Sequence, residues 1–289
     1  MRENRAAGIL WMLATMFCFI ALDAIMKHLM ESYSLVQVTW ARFFFATIIA
    51  GLACGRRITR LAVSRHPKQQ LLRSVLLMST TGMFNAGIRT TPLATGTTIM
   101  FLSPILVTVL AIPLLGEKVG LRRWTGVIFG FLGALIVVRP WEEGLGAYGH
   151  GVFFLLAAAF LNANYQILTR KVRGDDPFTS LLYTAAAGAV VTSAIVPWFW
   201  TWPTAFDWLL LMASGLAGGL GHLFLIRSFR VAPASVVAPF SYSSLLWAAL
   251  FGFFVWGDWP ELWTWAGAAI IIGSGLYIFH RERLAHEER

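Results

Sequence analysis

The sequence predicts an all-α integral membrane protein, ten transmembrane helices arranged as two inverted five-helix repeats, with N- and C-termini cytoplasmic. Three observations carry this prediction: apolar runs long enough to cross a bilayer, a one-sided distribution of Lys and Arg, and a weak internal duplication. Apolar residues make up 57% of the 289, and charged residues only 13%, against the ~25% usual in soluble domains. Mean hydropathy is +0.67. A chain of 32.1 kDa cannot hide that much apolar side chain within itself, so lipid must solvate much of it. Soluble globular, disulfide-scaffold and disordered classes are excluded. The two cysteines, Cys18 and Cys54, have no metal-type spacing, and neither a metal nor a cofactor is expected.

A spanning helix needs roughly 20 mostly apolar residues. Ten runs approach that length: 8–29, 35–54, 71–90, 93–115, 122–139, 149–169, 178–197, 207–227, 234–256 and 262–280. They are too long for β-barrel strands. The first exceeds twenty residues and lacks a small-x-small cleavage site, so it reads as a span and not as a signal peptide. Only the 55–70 connection is loop-like for more than a dozen residues.

Orientation follows from basic residues in the connections. Nineteen of the 23 Lys and Arg residues fall on one side, including Arg56, Arg57, Arg73, Arg170 and Lys171. Lys27, Arg89 and Arg139 fall on the other, and Arg42 lies inside a span. An even number of spans satisfies every connection, whereas an odd number breaks the partition. Nine tryptophans, among them Trp141, Trp198, Trp202, Trp256 and Trp259, cluster near the opposite, outer interface, as an aromatic belt does. The net charge of +9 is therefore a topology signal; nucleic acid is not an expected partner, and the lipid bilayer is.

The duplication fixes the domains as 8–139 and 149–280. Shifting residues 89–135 by 141 positions brings eight identities into register, including Arg89/Arg230, Pro92/Pro233, Ser103/Ser244, Gly116/Gly257, Trp124/Trp265 and Gly126/Gly267. A second shift, of 143, pairs Gly8 with Gly151 and Phe17 with Phe160. Because five spans is odd, the second unit must insert upside down relative to the first. Inverted repeats of this kind characterise alternating-access carriers, whose site lies at the repeat interface.

The punctuation within these repeats resembles the EamA branch of the drug/metabolite transporter superfamily. The first copy reads Pro92-Leu-Ala-Thr-Gly-Thr-Thr, Ser103-Pro104, Leu114-Leu-Gly-Glu117 and Arg123-Trp124-Thr-Gly126; the second reads Ala232-Pro-Ala-Ser, Trp256-Gly-Asp258 and Trp265-Ala-Gly267. Thr169-Arg170-Lys171-Val172 and Ala238-Pro239-Phe240-Ser241-Tyr242 are similar to a subgroup with S-adenosylmethionine and riboflavin carriers and exporters of opine-type, nicotianamine-like metallophores. The resemblance implies a ten-helix fold with a central cavity. It does not fix substrate or direction, and Ala185 standing opposite Arg42 argues against strict functional symmetry.

Ionisable side chains inside spans mark function by default, because they cost several kcal/mol unless paired or hydrated. Arg42 lies about eight residues from the outer end of its span, roughly 12 Å deep at 1.5 Å per residue. Asp23 lies at a similar depth. The two read either as a site, with Arg42 on a substrate carboxylate, or as a fixed pair between two helices. Lys27, one turn beyond Asp23, reads as snorkelling to the interface. Asn162 and Gln166 share a helix face and suit a polar zwitterion, while Asn164 points elsewhere. His222 joins Asp23 as a proton-coupling candidate. Of the aromatics within spans, Trp40, Tyr183 and Tyr242 are candidates for the cavity wall. Pro104, Pro113 and Pro239 mark the fourth and ninth spans as moving or site-lining helices, since a freed carbonyl at membrane depth is tolerated where it faces protein or water; a static kink is the alternative. Glu117 and Asp258 read as helix caps or gate latches.

The expected function is that of a secondary carrier, moving a small polar, carboxylate-bearing metabolite across the bacterial inner membrane. An amino-acid-like solute or an opine metallophore, exported, is the first reading; import of S-adenosylmethionine, riboflavin or a similar metabolite is the alternative. No phosphate loop occurs, so no ATPase subunit is implied, and a monomer or homodimer is expected. A channel and a membrane-embedded enzyme are the rival classes.

Overall fold

The turn between the first two helices shows how local chemistry sets the element ends. Helix α1 (Arg5–Leu29) gives way to α2 (Leu35–Cys54) through Ser34, whose hydroxyl accepts the Gln37 N–H at 3.2 Å as an N-cap. A computed structural model describes residues 5–115, 121–139, 141, 149–172, 174–232 and 237–287. After α3 (Ile58–Leu61) comes α4 (Pro67–Ile88), with a proline in its first turn, where the missing N–H costs nothing. Next are α5 (Leu93–Met100), α6 (Leu102–Leu115), α7 (Leu121–Val138), α8 (Gly151–Lys171), α9 (Pro177–Ile195) and α10 (Ala205–Val231). A 3-10 segment, Ala238–Ser243, precedes α11 (Ser244–Trp256) and α12 (Leu262–Glu287). Among the described residues every regular element is helical.

Six helical stretches are long and apolar enough to cross a membrane: Ala6–Leu29, Leu35–Leu52, Leu93–Leu114, Gly151–Thr169, Pro177–Phe199 and Ala205–Val231. Shorter apolar stretches cover Trp124–Val138, Phe240–Trp256 and Leu262–Tyr277. The chain is thus a multi-pass membrane protein, and Leu52, Trp202 and Phe254 project outward from the bundle as lipid-facing side chains would. Helix α4 is the polar one. It buries Gln70, Arg73, Ser74, Thr80, Thr81 and Asn85, so its apolar character falls below that of its neighbours. Arg73, expected in a connection, lies inside this helix.

Two of the predicted spans are broken. The run 93–115 splits at Phe101, between α5 and α6. Pro104 explains the position: its nitrogen cannot donate to the Met100 carbonyl, and its ring crowds that oxygen. Pro113, by contrast, sits within α6 without ending it. In the run 234–256, of which 234–236 fall outside the described residues, Ala238–Ser243 form a 3-10 segment, followed by α11. In the shift of 141, Phe101 corresponds to Tyr242, which lies within the 3-10 segment, so the two departures from α-helix overlap.

Packing pairs α1 with α10, α4 with α8, α7 with α12 and α2 with α9. Close approaches recur at equivalent sites. A Cβ on Gly8 would lie 2.3 Å from the Ala232 methyl, and one on Gly151 would lie 2.6 Å from the Thr91 hydroxyl; Gly8 corresponds to Gly151 and Thr91 to Ala232. On the α7–α12 crossing, the Ser274 hydroxyl donates to the Gly126 carbonyl. At its counterpart, a Cβ on Gly267 would lie 2.6 Å from the Gly133 carbonyl. Phe101 and Tyr242 meet each other edge to face, centroids 5.1 Å apart. One end of the bundle carries residues 55–66 and 174–176 and is the basic end. The other carries residues 30–34, 89–92, 196–204 and 257–261, and is the tryptophan-rich end.

Candidate functional site

Two adjoining cavities occupy the bundle. The first, of about 640 Å³, is bounded by α1, α4, α8, α10 and the two broken helices. The second, of about 610 Å³, continues between α2, α4, α8, α9 and α10 toward Asp175 and Pro177 at the basic end. Arg42, Leu77, Tyr165, Gln166, His222 and Leu225 line both. The volumes suit a small metabolite. Most of the first wall is apolar: Met12, Met16 and Met100 supply thioethers, and Phe19, Phe84, Phe101 and Tyr242 supply rings.

The polar groups converge where the cavities join. Asp23 and Arg42 both line the first cavity, and their charges act on each other through space. No direct ion pair joins them among the described residues, so the pair expected from depth alone is replaced by two groups open to the cavity. The Arg42 guanidinium rests 5.8 Å from the Phe43 ring. Asn162 and Gln166 project from α8 into the same space, while Asn164 donates to the Phe160 carbonyl at 2.9 Å, one turn back. His222 Nδ1 lies 2.9 Å from the Gly218 carbonyl. A carbonyl only accepts, so this nitrogen carries the proton and Nε2 is left as an acceptor. Its ring meets Phe19 edge to face at 5.0 Å.

Tyr242 lines the first cavity together with Ser241, Ser244, Ser103 and Pro104. Its hydroxyl seats over Gly275, where a Cβ would come within 2.1 Å, so only glycine leaves room for it. Two candidates lie elsewhere. Trp40 donates from Nε1 to the Ser193 hydroxyl at 2.8 Å and stacks on Phe44 at 4.8 Å, which ties α2 to α9 outside both cavities. Tyr183 donates to the Ala62 carbonyl at 3.1 Å, holding α9 against the segment after α3. Among the helix-break candidates, Pro104 lines the first cavity and Pro113 lies beyond it. Pro239 is the second residue of the 3-10 segment, and Glu117 falls outside the described residues.

The cavity wall also contains residues that sequence reasoning passed over. Arg73 and Tyr165 are the chief ones. Tyr165 shares its face with Asn162 and Gln166 by i, i+3/i+4 spacing, a signal already present. Arg73 lies two turns inside a helix whose first-turn proline, Pro67, marks where it begins.

The tryptophan-rich end is closed by polar contacts across the bundle. Lys27 does not snorkel: its side chain is 10% exposed, and its ammonium is 3.0 Å from the Thr91 carbonyl, 3.9 Å from the Asp258 carboxylate and 4.9 Å from the Trp256 ring centre. Trp256 Nε1 donates to Glu31 at 2.8 Å, and Arg139 pairs with Glu261. The Gln37 amide exchanges two bonds with the Thr201 backbone, at 2.7 and 2.9 Å. Tyr33 donates to Asp207 at 2.6 Å. At the basic end, Asp175 accepts from Ser64, Gln70 and the Arg65 N–H. Burial works to raise its carboxyl, but these bonds outweigh it and hold the group below the usual carboxylate range. Among the described residues no cluster of His, Cys, Asp and Glu could hold a metal ion.

Comparison with known proteins agrees with this architecture. The model of the EamA-like transporter family matches twice, over residues 6–139 and 149–279. An S-adenosylmethionine uptake transporter from Rickettsia felis is 28% identical over 96% of this chain and 94% of its own. A riboflavin transporter from Vibrio cholerae is 27% identical, with the same coverage. The pseudopaline exporter CntI of Pseudomonas aeruginosa is 26% identical over 92% of this chain and 93% of its own. One crystal structure superposes with a TM-score of 0.65 over 95% of this chain and 96% of that one, at 16% identity, a likeness of fold.

Proposed function

Because the chain belongs to the EamA-like transporter family, and is a transporter and not an enzyme, we propose that it carries a small, zwitterionic, carboxylate-bearing metabolite across the bacterial inner membrane by alternating access. The single observation behind this reading is the pairing of Arg42 and Asp23 on one cavity, unjoined to each other. Such an arrangement offers a guanidinium to a carboxylate and a carboxylate to a cationic group. Asn162, Gln166 and His222 add neutral hydrogen-bonding groups, and the thioether and aromatic wall suits an apolar arm.

In this proposal the ten helical runs are the ten spans, residues 8–139 and 149–280 form two inverted units, and both termini lie in the cytoplasm. The overlapping departures from α-helix at Phe101 and Tyr242, and the paired close approaches of Gly8 and Gly151, support that symmetry. The basic end is then cytoplasmic, and the cavities open toward it while the tryptophan-rich end is closed. Loading from the cytoplasm, and hence export, is the favoured direction. Import is the second reading, supported by the relative named for S-adenosylmethionine uptake. Asp23 and His222 are the groups able to carry a coupling proton. The carrier acts without an ATPase subunit, as a monomer or homodimer.

Counterflow in proteoliposomes tests the reading. The panel contains L-methionine, S-adenosylmethionine, riboflavin and an opine metallophore. Saturable counterflow of a carboxylate-bearing solute, abolished in Arg42→Gln while the variant stays monodisperse, is the expected result. Ion conductance, or wild-type flux in Arg42→Gln, refutes it. The sign of net flux under an imposed gradient separates export from import.

A further inference from the structure

Arg73, on the cavity wall, has no role in the carrier reading above. It stands on α4 with 6% of its surface exposed, yet lines the second cavity. Its Nε donates to Thr169 at 2.8 Å, and its Nη1 to the Ser180 carbonyl at 3.1 Å and the Thr184 hydroxyl at 2.8 Å. Its Nη2 donates to the Tyr165 hydroxyl at 2.6 Å, and the guanidinium lies 4.6 Å from that ring. All four acceptors are neutral. The acid on the same cavity, Asp175, is engaged by Ser64, Gln70 and the Arg65 N–H. A buried charge held only by neutral groups is costly, and Arg73 is held in that way beside a cavity.

One donor remains. A guanidinium has five N–H groups, and four are used, which leaves one on Nη2. Tyr165 accepts from Arg73 and so keeps its own proton to donate. Tyr165 and Arg42 line both cavities. A clamp between α4, α8 and α9 accounts for the four bonds. It does not account for a second guanidinium placed on the cavity that Arg42 already lines.

We propose that Arg73 Nη2, the Tyr165 hydroxyl and Arg42 together form a second anion position beside the first, so that the transported solute carries two carboxylates and one cationic group. The inference rests on the carrier reading above and narrows its substrate class.

Two probes that differ by one carboxylate test it: L-methionine and N-carboxymethyl-L-methionine, with affinity measured by competition on the purified full chain in proteoliposomes. The second carboxylate is expected to tighten binding by about tenfold, the usual order for one added charged hydrogen bond. Arg73→Gln removes that preference, weakening N-carboxymethyl-L-methionine about tenfold more than L-methionine; Arg73→Lys restores part of it. Tyr165→Phe, which keeps the ring, also reduces the preference. Arg42→Gln weakens both probes. Equal binding of the two probes by the wild type, or equal weakening of both by Arg73→Gln, overturns the second anion position while the carrier reading stands. Failure to bind either probe brings down both.

Discussion

Replacing Lys27 with methionine is predicted to loosen the closed tryptophan-rich end without unfolding the bundle. The lysine stem is buried and methionine fills nearly the same space, so the change acts on the charge. The ammonium donates to the Thr91 carbonyl at 3.0 Å, a charged hydrogen bond worth ~1.5–3 kcal/mol. Its partner Asp258 is 3.9 Å away and 40% exposed, which limits that pair to ~1 kcal/mol or less. The Trp256 ring at 4.9 Å adds about 0.5–1 kcal/mol. Desolvation of the ammonium takes back much of this sum, so the net loss is roughly 1–2 kcal/mol, and 1.4 kcal/mol is about tenfold in the closed-to-open ratio. The assay uses Met100→Cys on the cavity wall, with Cys18 and Cys54 changed to serine, and a membrane-impermeant thiol reagent applied from the tryptophan-rich side. Labelling is expected to be slow with Lys27 present and about tenfold faster in Lys27→Met. Unchanged labelling refutes the reasoning, because the contacts would then not hold the end closed.

Three further outcomes are expected. Gly267→Ala places a Cβ 2.3 Å from Val137 Cγ2 and 2.6 Å from the Gly133 carbonyl; overpacking of ~1–3 kcal/mol lowers the thermal midpoint in detergent, and an unchanged midpoint means the α7–α12 crossing is looser than described. Asp175→Asn removes a carboxylate whose folded pKa is depressed. The stability it contributes is present above its unfolded value of about 3.9 and lost as pH falls through the lower folded value. The wild type therefore melts above the variant at neutral pH, and the gap closes below about pH 4; a gap independent of pH contradicts this. Asp23→Asn weakens solute exchange, because the cationic group loses its partner, and the residual exchange no longer responds to a pH gradient; retained stimulation moves the proton-carrying role to His222.

Much of this molecule is written in its local sequence. Long apolar runs, proline and glycine punctuation and the basic partition each act over a turn or two of helix, and among the described residues the predicted runs fall on helical structure. What escaped depends on neighbours distant in the chain. Arg73, at the start of the predicted 71–90 span, reads as part of the basic connection, because its partners lie 92 to 111 positions away. Lys27 was assigned to the interface because nothing near it in sequence reveals Thr91 or Asp258. Trp40 and Tyr183 carry the right residue types at membrane depth, but helix rotation turns them to Ser193 and Ala62. Pro104 was identified as a helix breaker, yet only packing shows that its break meets the second at Tyr242.

The most direct measurement of the central claim is a pair of distances by double electron–electron resonance on the reconstituted chain. One spin pair sits at Ser32→Cys and Trp259→Cys on the tryptophan-rich end, the other at Lys68→Cys and Arg230→Cys on the basic end. Adding transported solute with a gradient should lengthen the first distance and shorten the second within the same population. If both distances change together, or neither responds while flux continues, the two faces do not open in turn and the alternating cavity is wrong.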